Sequence, residues 1–256
     1  NILNNHFLKN RTFAHRGIQN KKIGVIENTL ESCMLAKEYG YGIEIDVRIT
    51  RSNIVILLHD YNIKRLTNIN KNYYNITEED LKNITYKNSN CKITKLEEVL
   101  MNINGKVPIL IELKTDFHYK RTKRLVKEVN KLMSNYNGDY AIQSVFPSSY
   151  RMYKSINNKV LIGLVAPVFF KKFKFINNMI VFLLLKTNKY DFISYNIDLM
   201  PNEYIKNLNI IKLFWNVNNR NKMKLALLNG GNFIWKFYDK SEFMPPKTIK
   251  NNLYLL

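Results

Sequence analysis

The chain has 256 residues, with 40 Lys and Arg against 20 Asp and Glu, a formal charge of +20. Hydrophobic residues make up 46% and aromatics 12%, which is ample for a large core and excludes a disordered or low-complexity chain. Two cysteines, Cys33 and Cys91, make no disulfide framework, and the longest apolar run, Val160 to Phe170, has 11 residues where a membrane span needs roughly 18.

Apolar β-like runs alternate with helix-like segments along the chain. Thr12–Ala14 reads as a strand and Thr29–Tyr39 as a helix, with Asn28 or Thr29 as N-cap and Gly40 as stop. Strands follow at Gly42–Val47 and Ile54–Leu58. A helix at Lys95–Met101 leads to a strand at Val107–Leu113, and a helix at Tyr119–Tyr136 to a strand at Tyr140–Ser144. A helix at Pro147–Ser155 precedes strands at Val160–Val165 and Phe192–Tyr195. The last pairs are a helix at Pro201–Leu208 with a strand at Ile210–Val217, and a helix at Arg220–Leu228 with a strand at Asn232–Phe237. Pro147 and Pro201 suit the first position of their helices, where no backbone N–H is needed. No Gly/Ser/Pro-rich linker interrupts the series, so residues 1–256 read as a single domain.

Nine strands are one too many for a parallel barrel. Parallel neighbours need a crossover of a dozen or more residues, and only Arg48 to Asn53 separate Val47 from Ile54. Ile54–Leu58 therefore turns back as a short excursion, over about residues 50–90, after the second barrel strand. The remaining eight β/α units in about 250 residues predict an α/β fold, a TIM (β/α)8 barrel.

In that fold the chemistry gathers where strands end. The first strand leads into His15-Arg16-Gly17, and the second carries Glu44 and Asp46, two apart and so on one face. His59-Asp60 closes the excursion, and Glu112 and Lys114 share a face of the next barrel strand. Glu44, Asp46 and Glu112 lie in otherwise apolar strands, where an unpaired charge costs several kcal/mol or more. Three carboxylates without a thiolate suit one hard divalent cation, Ca²⁺ or Mg²⁺. His15 and His59 flank them as a general acid and base, and Arg16 and Lys114 offer fixed positive charge to a phosphoryl oxygen. Together these residues describe metal-assisted cleavage of a phosphate ester.

The pattern resembles the glycerophosphodiester phosphodiesterase family, in its membrane-associated bacterial type. The resemblance rests on His15-Arg16-Gly17, Glu27-Asn28-Thr29, Glu44-Ile45-Asp46, His59-Asp60 and Ile111-Glu112-Leu113-Lys114. Gln143-Ser144-Val145-Phe146, Asp191-Phe192-Ile193-Ser194 and Phe214-Trp215-Asn216-Val217-Asn218 extend it, so that it runs from about residue 11 to 237. It implies a barrel with one divalent cation on Glu44, Asp46 and Glu112, His15 and His59 as the acid–base pair, and Arg16 and Lys114 on the phosphate. Glu27 is expected close to the site, and Trp215 is expected to line the glycerol pocket. Two departures stand out: Ile26 replaces a proline before Glu27, and the last strand lacks the usual Asp-x-Pro ending. The implied activity is hydrolysis of glycerophosphodiesters to sn-glycerol 3-phosphate and an alcohol. The alternatives are a phospholipase D-like activity on lysophospholipids and a non-catalytic module that binds polyanions or membranes through charge alone.

One segment exceeds what a barrel helix requires. In Lys172–Lys186, Phe173, Ile176, Ile180, Val181 and Leu184 form one stripe, while Phe175, Met179, Phe182 and Leu183 form a second outside it. With Lys171, Lys172, Lys174 and Lys186 nearby, the second stripe suits an anionic membrane surface. Related chains with this pattern carry an N-terminal anchor, and this chain begins at Asn1, so membrane association is the expected location, with a cytoplasmic monomer as the alternative. The basic residues are spread evenly with no consecutive block, so no nucleic-acid partner is expected.

Overall fold

A computed structural model describes residues 7–167, 174–236 and 243–249. Its strands are β1 (Phe13–His15), β2 (Gly42–Ile49), β3 (Val55–Leu57), β4 (Ile109–Leu113), β5 (Tyr140–Ser144), β6 (Leu161–Val165), β7 (Phe192–Asn196), β8 (Ile211–Val217) and β9 (Asn232–Trp235). Eight of them pair in parallel in the order β1, β2, β4, β5, β6, β7, β8, β9, and β9 returns to β1, closing the barrel. The ninth, β3, pairs antiparallel with β2, from Val47 opposite Leu57 to Ile49 opposite Val55. The short Arg48–Asn53 connection thus produces the hairpin that its length demands.

The helices are α1 (Phe7–Asn10), α2 (Leu30–Glu38), α3 (Glu78–Asn83), α4 (Leu96–Ile103), α5 (Tyr119–Met133), α6 (Pro147–Ile156), α7 (Lys174–Thr187), α8 (Glu203–Lys206) and α9 (Arg220–Leu228). Thr29, not Asn28, caps α2, in a capping box with Ser32. Helix α5 is strongly amphipathic and buries Leu125, Val126, Val129 and Met133 against the barrel. Pro147 opens α6 as expected. Pro201 does not open α8: it stands before Asn202, whose side chain caps that helix by accepting from the Ile205 N–H, and only one turn follows. The one-turn helices α1 and α3 lack the length that makes a periodic signal. Strand β2 runs two residues beyond Val47 because β3 extends its pairing, and Phe237 lies outside the described residues. Among the described residues, no helix is long and apolar enough to cross a membrane.

Alternation along the strands separates two environments. Ile43, Ile45 and Val47 on β2, with Ile109, Ile111 and Leu113 on β4, point outward into the layer beneath the helices. The inward positions form an apolar floor of Phe13, Leu110, Phe192, Leu213 and Ile234, reached from below by Leu8 of α1. One step higher stand His15 on β1, Glu44 on β2, Glu112 on β4 and Trp215 on β8. The excursion carries a separate apolar cluster, which includes Ile56, Leu58, Ile63, Tyr73, Leu81 and Ile93.

Gly163 on β6 lies opposite Phe192, and a Cβ there would come within 2.1 Å of that ring. Phe192 is wholly buried in the floor and has little room to retreat. Gly163→Ala is therefore expected to destabilise the protein by about 1–3 kcal/mol, as overpacking does. A urea unfolding midpoint equal to wild type, at unchanged slope, would contradict this packing.

Candidate active site

The register of β2 and β4 assembles the acidic cluster. Asp46 pairs with Glu112, and Glu44 sits one inward step below on β2. All three carboxylates are buried, and oxygen atoms from each lie within 4.8 Å of one another. His15 ends β1 in register with Glu44, and its Nε2 is 3.9 Å from the Glu44 carboxylate. On the other flank Gln143 of β5, paired with Glu112, donates to Glu44 at 3.4 Å and accepts from Ser194 at 2.6 Å.

Two cations reach into this cluster. Lys114 Nζ lies 2.7 Å from Glu112 and 3.3 Å from Asp46. Arg16 takes a left-handed backbone conformation just past β1, and its N–H donates to Glu44 at 3.1 Å. The Arg16 Nε stands 2.9 Å from Asp46, an ion pair without hydrogen-bond alignment, and Nη1 donates to Glu27 at 2.7 Å. Gly17 continues the left-handed turn, where a Cβ would collide with Ser32 at 2.5 Å. Asn28 is also left-handed and closes a reciprocal pair with Asp46: its amide donates to the carboxylate at 2.9 Å and its oxygen accepts the Asp46 N–H at 3.1 Å.

His59 arrives from the excursion, just past β3, whose end is held to β2 by the Leu58 N–H donating to Asp46 O. Its Nδ1 lies 2.8 Å from Asp60, an acceptor, so Nδ1 carries the proton and Nε2 is the basic nitrogen. Asp60 in turn accepts from Arg65, which also donates to Glu27 at 2.6 Å. Glu27 therefore faces Arg16 and Arg65 and lies outside the carboxylate cluster. Trp215 stands on the inward face of β8 above the floor, and its buried indole N–H has no partner among the described residues.

Burial, and then the charges of Asp46 and Glu112, push the Glu44 carboxyl well above its ordinary value. Burial acts on Asp46 in the same direction, but Lys114 and Arg16 outweigh it and hold that carboxyl low. Burial depresses both histidines, helped by Arg16 at His15 and by Lys114 and Arg16 at His59, so both rings are neutral near pH 7. Three carboxylates against two cations leave the cluster one negative charge in excess, which Glu44 registers. The donor set is all oxygen and closely spaced, and it fits a hard divalent ion.

The sequence-expected residues His15, Arg16, Glu44, Asp46, His59, Glu112, Lys114 and Trp215 thus gather at one mouth, with Glu27 behind Arg16. Sequence reasoning quoted Asn28, Asp60, Gln143 and Ser194 in the motifs without giving them a place in the site, and Arg65 not at all. The inward parity of Gln143 and Ser194, read from their strands, was the available signal. Arg65 offered none, because a turn of the excursion delivers it.

Adding Ca²⁺ or Mg²⁺ to metal-free protein is expected to raise the melting temperature, with a gain of about 2.7 kcal/mol at a hundredfold excess over Kd. Glu112→Gln should remove most of that gain. A wild-type melting temperature unmoved by millimolar cation would count against the cluster as a metal site.

Comparison with known proteins follows the same lines. Solved structures that share the fold include a glycerophosphodiester phosphodiesterase from Parabacteroides distasonis, at a TM-score of 0.72 and 19% identity over 91% of this chain and 93% of that one. A phosphodiesterase from Oleispira antarctica, solved in complex with the product sn-glycerol-3-phosphate, superimposes at a TM-score of 0.73 and 16% identity over 89% and 93%. A glycerophosphodiester phosphodiesterase from Thermotoga maritima does so at 0.67 and 21% over 88% and 93%. Among curated proteins no sequence matches. The model of the glycerophosphoryl diester phosphodiesterase family matches residues 15–232, from His15 to the start of the last barrel strand, and the chain belongs to that family.

Proposed function

We propose that the chain hydrolyses glycerophosphodiesters to sn-glycerol 3-phosphate and an alcohol, with the barrel as its one catalytic domain and a divalent cation as cofactor. The observation that carries this reading is the meeting of three buried carboxylates, two histidines and two cations above an apolar floor. A module that bound polyanions through surface charge alone would not require carboxylates inside the barrel.

A cation held by Glu44, Asp46 and Glu112 would supply Lewis-acid polarisation of the phosphate and acidify the attacking hydroxyl. Arg16 and Lys114 bind the phosphoryl oxygens and offset the charge that builds on them. Glu27 acts on the phosphate through Arg16, whose guanidinium it orients. One neutral histidine takes the proton of the attacking hydroxyl; where that hydroxyl is the glycerol's own, a cyclic phosphate forms and water opens it in a second step to glycerol 3-phosphate. The second histidine, protonated once the negative charge of the bound phosphodiester lies beside it, gives that proton to the departing alkoxide as the phosphorus–oxygen bond to the alcohol breaks. Asp60, braced by Arg65, keeps the basic Nε2 of His59 toward the mouth. Trp215 lines the pocket against the glycerol carbons.

His15→Ala and His59→Ala should each lower kcat by roughly 10²–10⁴, as loss of one acid–base group does. The assay is glycerol 3-phosphate release from glycerophosphocholine, glycerophosphoethanolamine and glycerophosphoglycerol, with Ca²⁺, Mg²⁺ or chelator. Near-normal turnover by both variants, or no release from any diester by wild type, would overturn the proposal.

A second substrate class, lipid phosphodiesters such as lysophospholipids, is favoured by one feature. Phe117, in the loop after β4 at the mouth, is 93% exposed and meets Phe146 edge-on at 5.2 Å. On α7, Phe175, Met179, Phe182 and Leu183 are exposed as the second stripe, while Val181 is buried. Lys171, Lys172 and Phe173, and the side chain of Lys174, lie outside the described residues. An anionic bilayer would receive these side chains next to a strongly basic surface, making the protein membrane-associated. Flotation with vesicles should then recover the protein on phosphatidylglycerol/phosphatidylcholine mixtures, and less of Phe175→Ser/Phe182→Ser. Absence from the floating fraction both with these mixtures and with phosphatidylcholine alone removes this class.

A further inference from the structure

Arg48 lies on β2, two residues past Asp46 and on the same inward face. It is only 7% exposed, yet among the described residues no carboxylate pairs with it. Its guanidinium is spent on backbone. Nε and Nη2 donate to the His59 carbonyl at 3.1 and 2.6 Å, and Nη1 donates to the Lys114 carbonyl at 3.3 Å. The rings of Tyr61 and Tyr73 cover it, with centroids 5.2 and 4.7 Å from Cζ. Both phenols donate to Asp116, at 2.8 and 3.1 Å, and Arg121 donates to the same carboxylate at 2.7 Å, so the aromatic cover is itself fixed.

A buried cation with no carboxylate in direct contact, only the more distant charge of Asp46, is a poor way to fill space, since an apolar side chain of similar volume is commonly as stable or better. What Arg48 provides is geometric. Residues 58–60 lie in neither strand nor helix, and Lys114 lies one residue past the end of β4. Backbone bonds from the Leu58 N–H to Asp46 O and from the Lys114 N–H to Val47 O bring both segments to β2, but the first stops one residue short of His59. The planar fork of one guanidinium spans them, which a lysine cannot do.

We infer that Arg48 is a positioning residue for the reaction, joining the backbone of His59 to that of Lys114 and holding the imidazole in register with the phosphate-binding cation. It touches neither substrate nor reacting atoms. The inference rests on the role proposed above for His59.

The test is a double-mutant cycle read on glycerol 3-phosphate release, with rates taken per folded molecule by near-ultraviolet circular dichroism. Arg48→Met should lower kcat about 10²-fold, the scale of a small misplacement of reacting groups. In a His59→Ala background the same change should cost less than about threefold, because both act through one imidazole. Added guanidinium should restore part of the Arg48→Met rate and none of the His59→Ala rate. Arg48→Lys keeps the charge and stem and serves where the methionine variant folds poorly; its kcat should fall about tenfold, again only when His59 is present. Losses that multiply in the two backgrounds, or a full kcat in Arg48→Lys, overturn the inference. A readout free of turnover separates its failure from failure of the proposed activity. The His59 ring resonances should shift or broaden in Arg48→Lys while those of His118 stay fixed, and an unmoved His59 signal overturns the inference even if wild type hydrolyses no diester.

Discussion

Excess negative charge held inside a barrel is the constraint around which this protein is organised. Glu44, Asp46 and Glu112 occupy positions where water cannot solvate them, directly above a layer of phenylalanine, leucine and isoleucine side chains. Such a cluster persists only if every nearby element contributes compensation. Arg16 is bent into a left-handed conformation so that both its N–H and its guanidinium face acids. Asn28, Gln143 and Lys114 are turned the same way. Burial then works in opposite senses on neighbouring groups. It raises Glu44 while cations hold Asp46 down, and it keeps both imidazoles neutral and therefore able to accept a proton.

Much of this was legible because a β-strand has a period of two. Once Glu44, Asp46, Glu112 and Lys114 are placed on strands, their shared face follows from spacing. The crossover rule, applied to six residues between Val47 and Ile54, identified the strand that could not belong to the barrel. Register was not legible. That Asp46 stands beside Glu112, and His15 beside Glu44, is fixed by how neighbouring strands slide against each other, which a single sequence does not state.

The excursion was the least readable region. Its length was evident, but Arg65, Tyr61 and Tyr73 reach the mouth through short turns with no periodicity, and each matters through a partner distant in sequence. Arg48 shows the same difficulty from the opposite side. In the sequence it opens the short connection after Val47, and only its three hydrogen bonds to two carbonyls show what it holds. Pro201 misled for a related reason: a proline fits the first turn of a helix, yet the capping side chain of Asn202 makes that turn begin two residues later, at Glu203.

The separate apolar cluster beneath the excursion has a consequence for how the enzyme can change. The acids and His15 ride on the closed barrel, whereas His59 rides on a hairpin with a core of its own. The two halves of the proposed reaction machinery are therefore anchored in different packing units. On the roles proposed above, drift in the apolar core of the excursion, Arg65 and its bond to Glu27 apart, can shift His59 or make room beside it for a bulkier leaving alcohol while the carboxylates keep their places on the barrel.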